Sequence, residues 1–196
     1  MMSPLSRLVL VFAVAWTLGQ PGFAAEPPGT LEVQSSLYYR SGGRRLLVRQ
    51  LQPSEIFQGT AVTRDGNIFL AYTGPPGEAT TTLSVYDVNL RKERIIVGLG
   101  GTGETEFAYD RSTDLVVFDW NEGIYVFSLD SARKNRPDRA QLDAFKKLIV
   151  LAVQCERCFQ PRWTKDHKIA YLQYGEQGTQ ATKYAEVPAA ALGAKR

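Results

Sequence analysis

The sequence predicts an all-β domain, an array of short antiparallel hairpins with one short inserted helix near residues 137–147. Three observations carry this. Short runs of alternating apolar and polar residues recur along the chain beyond residue 25. Clusters of Gly, Asp, Asn and Pro separate those runs. Apolar residues fall at helical spacing over one stretch only.

Taken in order, Leu31 to Arg40 and Arg44 to Leu51 flank Ser41-Gly42-Gly43 and read as a first hairpin. Gly59 to Thr63 and Ile68 to Thr73 flank Arg64-Asp65-Gly66-Asn67. Asp-Gly favours a tight turn because glycine accepts a positive φ. Gly74 to Thr80 (GPPGEAT) reads as a loop, with strands over Thr81 to Val88 and Arg94 to Gly98. Glu106 to Asp110, Asp114 to Trp120 and Ile124 to Leu129 follow, the last two joined at Asn121-Glu122-Gly123. Pro137 suits a first helical position, and Leu142, Phe145 and Ile149 share one helical face. The apolar run Leu148 to Val153 reads as a buried strand. Arg162 to Lys165, Lys168 to Tyr174 and Thr182 to Val187 supply the last strands, and residues 188–196 read as a loosely ordered tail.

An internal repeat underlies the hairpins. NIFLAY (Asn67 to Tyr72), DLVVFD (Asp114 to Asp119) and KIAYLQ (Lys168 to Gln173) each follow a polar turn carrying Asp, at offsets of 47 and 54 residues. That interval is near the length of a four-stranded propeller blade, and the inserted helix accounts for the longer second one. In the third copy, Pro161-Arg-Trp163-Thr-Lys-Asp166-His-Lys-Ile169-Ala170-Tyr171 resembles the repeat of TolB-like β-propellers, a WD40-like family. The family pattern runs approximately Pro-x-Trp-Ser-x-Asp-Gly-x-x-Ile-Ala-Phe. Here Thr164 replaces the serine, His167 replaces the glycine, and the spacing is one residue shorter. Thr63 to Ala71 keeps the Asp-Gly turn without Pro or Trp, and the copy around Asp114 keeps only the hydrophobic pattern. The resemblance spans Gly59 to Val187 and implies a small or incomplete β-propeller-like array. A curved β-sandwich borrowing the same hairpins is the alternative. The resemblance also implies a protein partner in the cell envelope.

The first 25 residues read as a removable signal peptide. Arg7 supplies a positive start, Leu8 to Leu18 an uncharged apolar stretch of 11 residues, and Gly22, Ala24 and Ala25 a small-residue cleavage site. The apolar run is too short to span a bilayer comfortably, and no integral membrane span is expected after cleavage. Residues 26–187 then form a single domain, expected in the periplasm or outside the cell. Without Arg7 the formal charge falls from +3 to +2, too near neutral to call for nucleic acid.

Cys155-Glu-Arg-Cys158 is the one cysteine pair, and an oxidising compartment favours a local disulfide. A thiol–disulfide redox role would need the pair at the start of a helix in a βαβ unit, which the pattern lacks. Zinc would need a third ligand such as His167, the sole histidine, which sits on a predicted hairpin turn. Gly98-Leu-Gly100-Gly-Thr-Gly103 matches a dinucleotide fingerprint but no long helix follows it. The acids Asp65, Asp110, Asp114, Asp119, Glu122 and Asp130 fall at strand ends, where Asp commonly caps turns. No catalytic set, cofactor or metal emerges. Tyr38, Tyr39, Arg40, Arg44, Arg45 and Arg49 form the densest basic and aromatic group, suited to an acidic partner. The expectation is an exported, non-catalytic binding or scaffold module. The alternatives are a redox protein using Cys155 and Cys158, or a binder of a small ligand or carbohydrate at one end of the strands.

Overall fold

The computed structural model describes residues 29–33, 35–53, 55–73, 80–100, 105–134, 141–175 and 177–192. The expected signal peptide, the loop at 74–79, Pro137, the last two glycines of the fingerprint and residues 193–196 lie outside the described residues.

Four antiparallel sheets follow one another along the chain, each a simple meander. The first holds β1 (Thr30–Val33), β2 (Ser36–Ser41) and β3 (Arg44–Gln50). The second holds β4 (Phe57–Val62), β5 (Ile68–Thr73), β6 (Thr80–Asp87) and β7 (Lys92–Gly100). The third holds β8 (Phe107–Asp110), β9 (Leu115–Trp120), β10 (Gly123–Ser128) and β11 (Val150–Gln154). The fourth holds β12 (Cys158–Trp163), β13 (Ile169–Tyr174) and β14 (Gln180–Ala185). Among the described residues three short helices accompany them: α1 (Leu129–Lys134), α2 (Gln141–Lys146) and α3 (Ala189–Leu192). The first strands of successive sheets lie side by side, β1 on β4, β4 on β8 and β8 on β12.

Alternation along each strand builds three cores between the sheets. Leu37, Tyr39 and Val48 meet Ile68, Leu70 and Tyr72. On the opposite face of the second sheet, Phe69, Ala71 and Leu83 meet Phe107, Val116 and Phe118 of the third. Leu115, Val117, Ile124 and Val126 then meet Ile169 and Tyr171 of the fourth. At the centre the chains run close: a Cβ on Gly59 would stand 2.7 Å from both Cβ and the carbonyl oxygen of Phe107. Glycine alone lets β4 approach β8 that closely. Among the described residues no comparable core joins the fourth sheet back to the first. One face of each end sheet is thus uncovered by any other sheet among the described residues.

The three repeat copies are β5, β9 and β13, the second strands of their sheets. The turns before β5 and β13 are alike. Thr63 N–H donates to Asn67 O at 2.8 Å and Gly66 N–H to Thr63 O at 3.1 Å. Their counterparts are Thr164 N–H to Lys168 O at 2.9 Å and His167 N–H to Thr164 O at 3.1 Å. His167 takes the left-handed place of Gly66, with φ 58° against 82°. The turn before β9 is shorter, closing with Asp114 N–H on Asp110 O at 2.9 Å. One residue fewer reverses the faces. Ile68 and Ile169 point back to the preceding sheet, while Leu115 points on to the following one.

Several boundaries differ from the sequence pattern. The first apolar run is broken at Ser35 into β1 and β2. β12 begins at Cys158, four residues earlier than the pattern places it, because a bulge between Phe159 and Arg162 accommodates Pro161 in the strand. β11 is an edge strand with Leu151 43% exposed, not a fully buried one. The predicted helix is α2, whose Phe145 is buried with Leu142 and Ile149 packed alongside. α1 carries no helical signal of its own; Asp114 holds it, accepting the Asp130 N–H at 3.0 Å. α3 falls within the segment read as tail, and its Ala191 is buried beside β10.

Candidate functional site

The β2–β3 hairpin separates the six basic and aromatic residues by direction. Tyr38 and Arg40 lie on the uncovered face of the first sheet, whereas Tyr39 points into the first core and is 9% exposed. The Arg45 guanidinium lies 3.5 Å above the centre of the Tyr38 ring. Glu32 on β1 pairs with both Arg40 and Arg45. Such exposed pairs contribute under about 1 kcal/mol each, so their effect is to fix the side chains rather than the fold.

Packing of the first sheet on the second brings a further arginine to this hairpin. The β6–β7 turn is capped by Asp87, whose Oδ1 accepts the Asn89 and Leu90 N–H groups at 2.9 and 2.8 Å. The turn then places Arg91 in a left-handed conformation with φ 51°. Between this turn and the hairpin opens a groove of about 840 Å³, lined by Arg44, Arg45, Arg91, Asn89, Tyr39 and Ser41 among others. No carboxylate among the described residues lines it. Among the described residues neither Arg44 nor Arg91 forms an ion pair. Sequence reading missed Arg91 because it lies 46 residues beyond Arg45 on another hairpin, and only sheet packing joins them.

Arg49 belongs elsewhere. It reaches into the interface between the first two sheets, donating from Nη1 to Glu93 at 2.8 Å and from Nη2 to Glu55 at 2.9 Å. Its guanidinium stacks 3.7 Å from the Tyr72 ring centre. Glu93 also accepts hydrogen bonds from Tyr72 Oη at 2.9 Å and Ser84 Oγ at 2.6 Å. Burial works against the Arg49 charge, but Glu93 and Glu55 outweigh it and hold the pKa above its ordinary value. Burial, with Glu93 beside it, pushes the Tyr72 hydroxyl up to about 12. The cluster is a clamp between sheets.

Cys155 and Cys158 are joined in a disulfide across the turn from β11 to β12. Cys158 is buried in the core between the third and fourth sheets, and a strand rather than a helix follows the pair. Closing so short a loop contributes about 2 kcal/mol by the chain-entropy account. Cys155→Ser/Cys158→Ser should therefore lower the urea midpoint modestly and leave two-state unfolding intact. Loss of folding altogether would contradict that assignment.

Most of the strand-end acids serve turns. Asp110 accepts from Ser112 N–H at 3.0 Å, from Thr113 Oγ1 at 2.8 Å and meets His167 Nδ1 at 2.8 Å. Burial pushes its carboxyl up, yet these donors prevail and hold it below the ordinary range. The Asp110–His167 contact links the β8–β9 turn to the β12–β13 turn. Beside it, Trp163 Nε1 donates to Ala108 O at 3.0 Å. Asp65 is similarly held low by Thr63 and Arg133 against the effect of burial.

Asp119 is the exception. It stands one residue before the end of β9 and lines a second cleft, of about 670 Å³, between the third and fourth sheets. Glu106, Arg157, Phe159, Gln160 and Tyr174 also line it. Asp119 is 9% exposed and accepts the Glu106 N–H at 2.8 Å. Burial pushes its carboxyl up to about 6, with backbone donors pulling the other way. Since the ordinary value is 3.8, the group's contribution to stability is fully present below that pH. It is lost as pH rises through about 6, on the order of 2 kcal/mol. Urea unfolding at pH 4 and pH 7 should show Asp119→Asn abolishing that part of the decline.

Among the described residues no group of three His, Cys, Asp or Glu could hold a metal ion, and no helix is long and apolar enough to cross a membrane.

The fold is of β-propeller type: four antiparallel sheets of three or four strands that resemble blades, with short helices only. Among solved structures the chain is similar to an oligogalacturonate lyase from Vibrio parahaemolyticus. The identity is 10% and the TM-score 0.50, over 84% of this chain and 44% of that one. It is similar also to a prolyl endopeptidase, at 14% identity and TM-score 0.50, over 77% of this chain and 24% of the other. A structure of a nidogen–laminin complex matches at 8% identity and TM-score 0.47, over 79% and 56%. The chain thus spans less than half the length of the lyase and about a quarter of the endopeptidase. At these identities the likeness to the lyase and the endopeptidase is one of fold alone. No family model matches the chain, and no curated protein matches it.

Proposed function

We propose that this protein is an exported, non-catalytic binding module of the bacterial cell envelope, acting in the periplasm or outside the cell. Its partner is a protein, and the segment it takes is acidic. The observation that carries this reading is the groove lined by Arg44, Arg45 and Arg91, with no carboxylate among its described lining residues. A groove of one charge sign steers an oppositely charged partner and fixes its register. Arginine forks pair with carboxylates in two parallel bonds, and Tyr39 supplies an apolar wall beside them. The Pro161 to Tyr171 motif adds the TolB-like reading, in which such propellers meet other proteins of the envelope.

The test is affinity capture of the tagged mature protein from its native envelope after mild crosslinking, with Arg44→Glu/Arg45→Glu in parallel. A discrete protein captured by the wild type and lost by the double variant is expected. A wild type that captures nothing, or the same protein from both, would overturn the reading.

A further inference from the structure

The cleft between the third and fourth sheets lies far along the chain from the arginine groove and has a different chemistry. It opens where β12 begins and β13 ends, beside the end of β9. One wall is aromatic: Phe159 and Tyr174 stand with ring centres 5.4 Å apart at an interplanar angle of 78°. Phe159 is 41% exposed although its neighbour Cys158 is buried, so the strand presents an aromatic face to the opening. Leu172, opposite Phe159 on β13, extends the apolar surface. Asp119, Glu106, Arg157 and Gln160 supply the polar part of the lining.

Backbone geometry supports this as a built opening. Gln160 adopts φ 53° at the bulge between Phe159 and Arg162, a conformation that costs energy outside glycine. Tyr174 N–H donates to Arg157 O at 3.0 Å, which ties the aromatic pair to the start of β12. The volume falls in the range of small-molecule sites.

We infer that this cleft binds a neutral saccharide, one pyranose ring lying against Phe159 and Tyr174 with its hydroxyls turned to Asp119 and Glu106. A pyranose is apolar on its C–H face and polar around its edge, matching a cleft lined by both an aromatic pair and carboxylates. Among the described lining residues two carboxylates stand against one arginine, which disfavours a uronate relative to a neutral sugar. Asp119 lines the cleft with Oδ1 accepting the Glu106 N–H, and a carboxylate has further acceptor positions for hydroxyls.

Saturation-transfer NMR with cellobiose, maltose and N,N′-diacetylchitobiose, each at about 10 mM, would fill a site with a Kd near 1 mM. The uronic-acid counterpart of cellobiose serves as the charged comparison. At least one neutral disaccharide is expected to receive magnetisation at its ring protons. Phe159→Ala and Asp119→Asn should each weaken its binding by at least about tenfold, which corresponds to the loss of one well-made contact. Phe159 is exposed and Asp119→Asn keeps the side-chain volume, so both variants should retain the wild-type circular dichroism. Absence of transfer from every neutral sugar, binding that survives both substitutions, or preference for the uronate would overturn the inference.

Discussion

Phe118→Ala should lower the free energy of unfolding by about 3–5 kcal/mol, the usual cost of emptying an aromatic site in a core. Phe118 is fully buried at the centre of the junction between the second and third sheets. It stacks on Phe107 at 5.1 Å with an interplanar angle of 9° and meets Phe127 edge-on at 5.8 Å. The strands around it are meshed at a glycine, so the cavity cannot close without moving β4 against β8. A fall of that size is a large part of the stability of one domain. Leu47→Ala on the uncovered face of the first sheet provides the control, expected within about 0.5 kcal/mol of wild type. Denaturant midpoints at unchanged slope would measure both.

Arg49→Met is expected to cost about 3 kcal/mol, for a different reason. The substitution keeps the apolar stem but leaves Glu55 and Glu93 facing each other without a counter-ion at the interface of the first two sheets. Breaking a buried pair is costly because the remaining charge has lost both its water and its partner. Glu93→Gln in the Arg49→Met background should recover part of the loss. A double-mutant cycle isolates the coupling, expected at 1 kcal/mol or more, roughly the range for residues sharing one network. Independent, additive losses would mean that Arg49 acts through its contact with Tyr72 and not through the carboxylates.

How much of this was legible in sequence depended on the scale at which each residue acts. Strand and turn positions were largely visible, because alternation and Asp-Gly chemistry are local. NIFLAY, DLVVFD and KIAYLQ do mark the second strand of three successive sheets. The facing of the middle copy was not visible, since it depends on a turn shorter by one residue and not on the apolar pattern. Pro161 concealed the start of β12, because a proline in a strand needs a bulge that only the pairing reveals. Of the six residues in the basic and aromatic group, three arginines of similar appearance take different roles. Arg44 and Arg45 line the groove, while Arg49, with the same composition around it, turns inward to Glu93. That choice is made by Glu55 and Glu93, which lie 6 and 44 residues away. The second cleft was legible only as a general place, the loops at one end of the strands. Its residues come from four separate segments, and Asp119 looked like one more turn acid.

Backbone hydrogen exchange, with and without the crosslinked partner, tests the binding account most directly. In the protein alone, amides at the tip of the β2–β3 hairpin and in the β6–β7 turn should exchange within the fast phase, since both are exposed turns. The account predicts that the partner slows exchange at Ser41 to Arg45 and at Asn89 to Arg91 together, while β5 and β9 stay unchanged. Protection confined to other segments, or none at either turn, would contradict it.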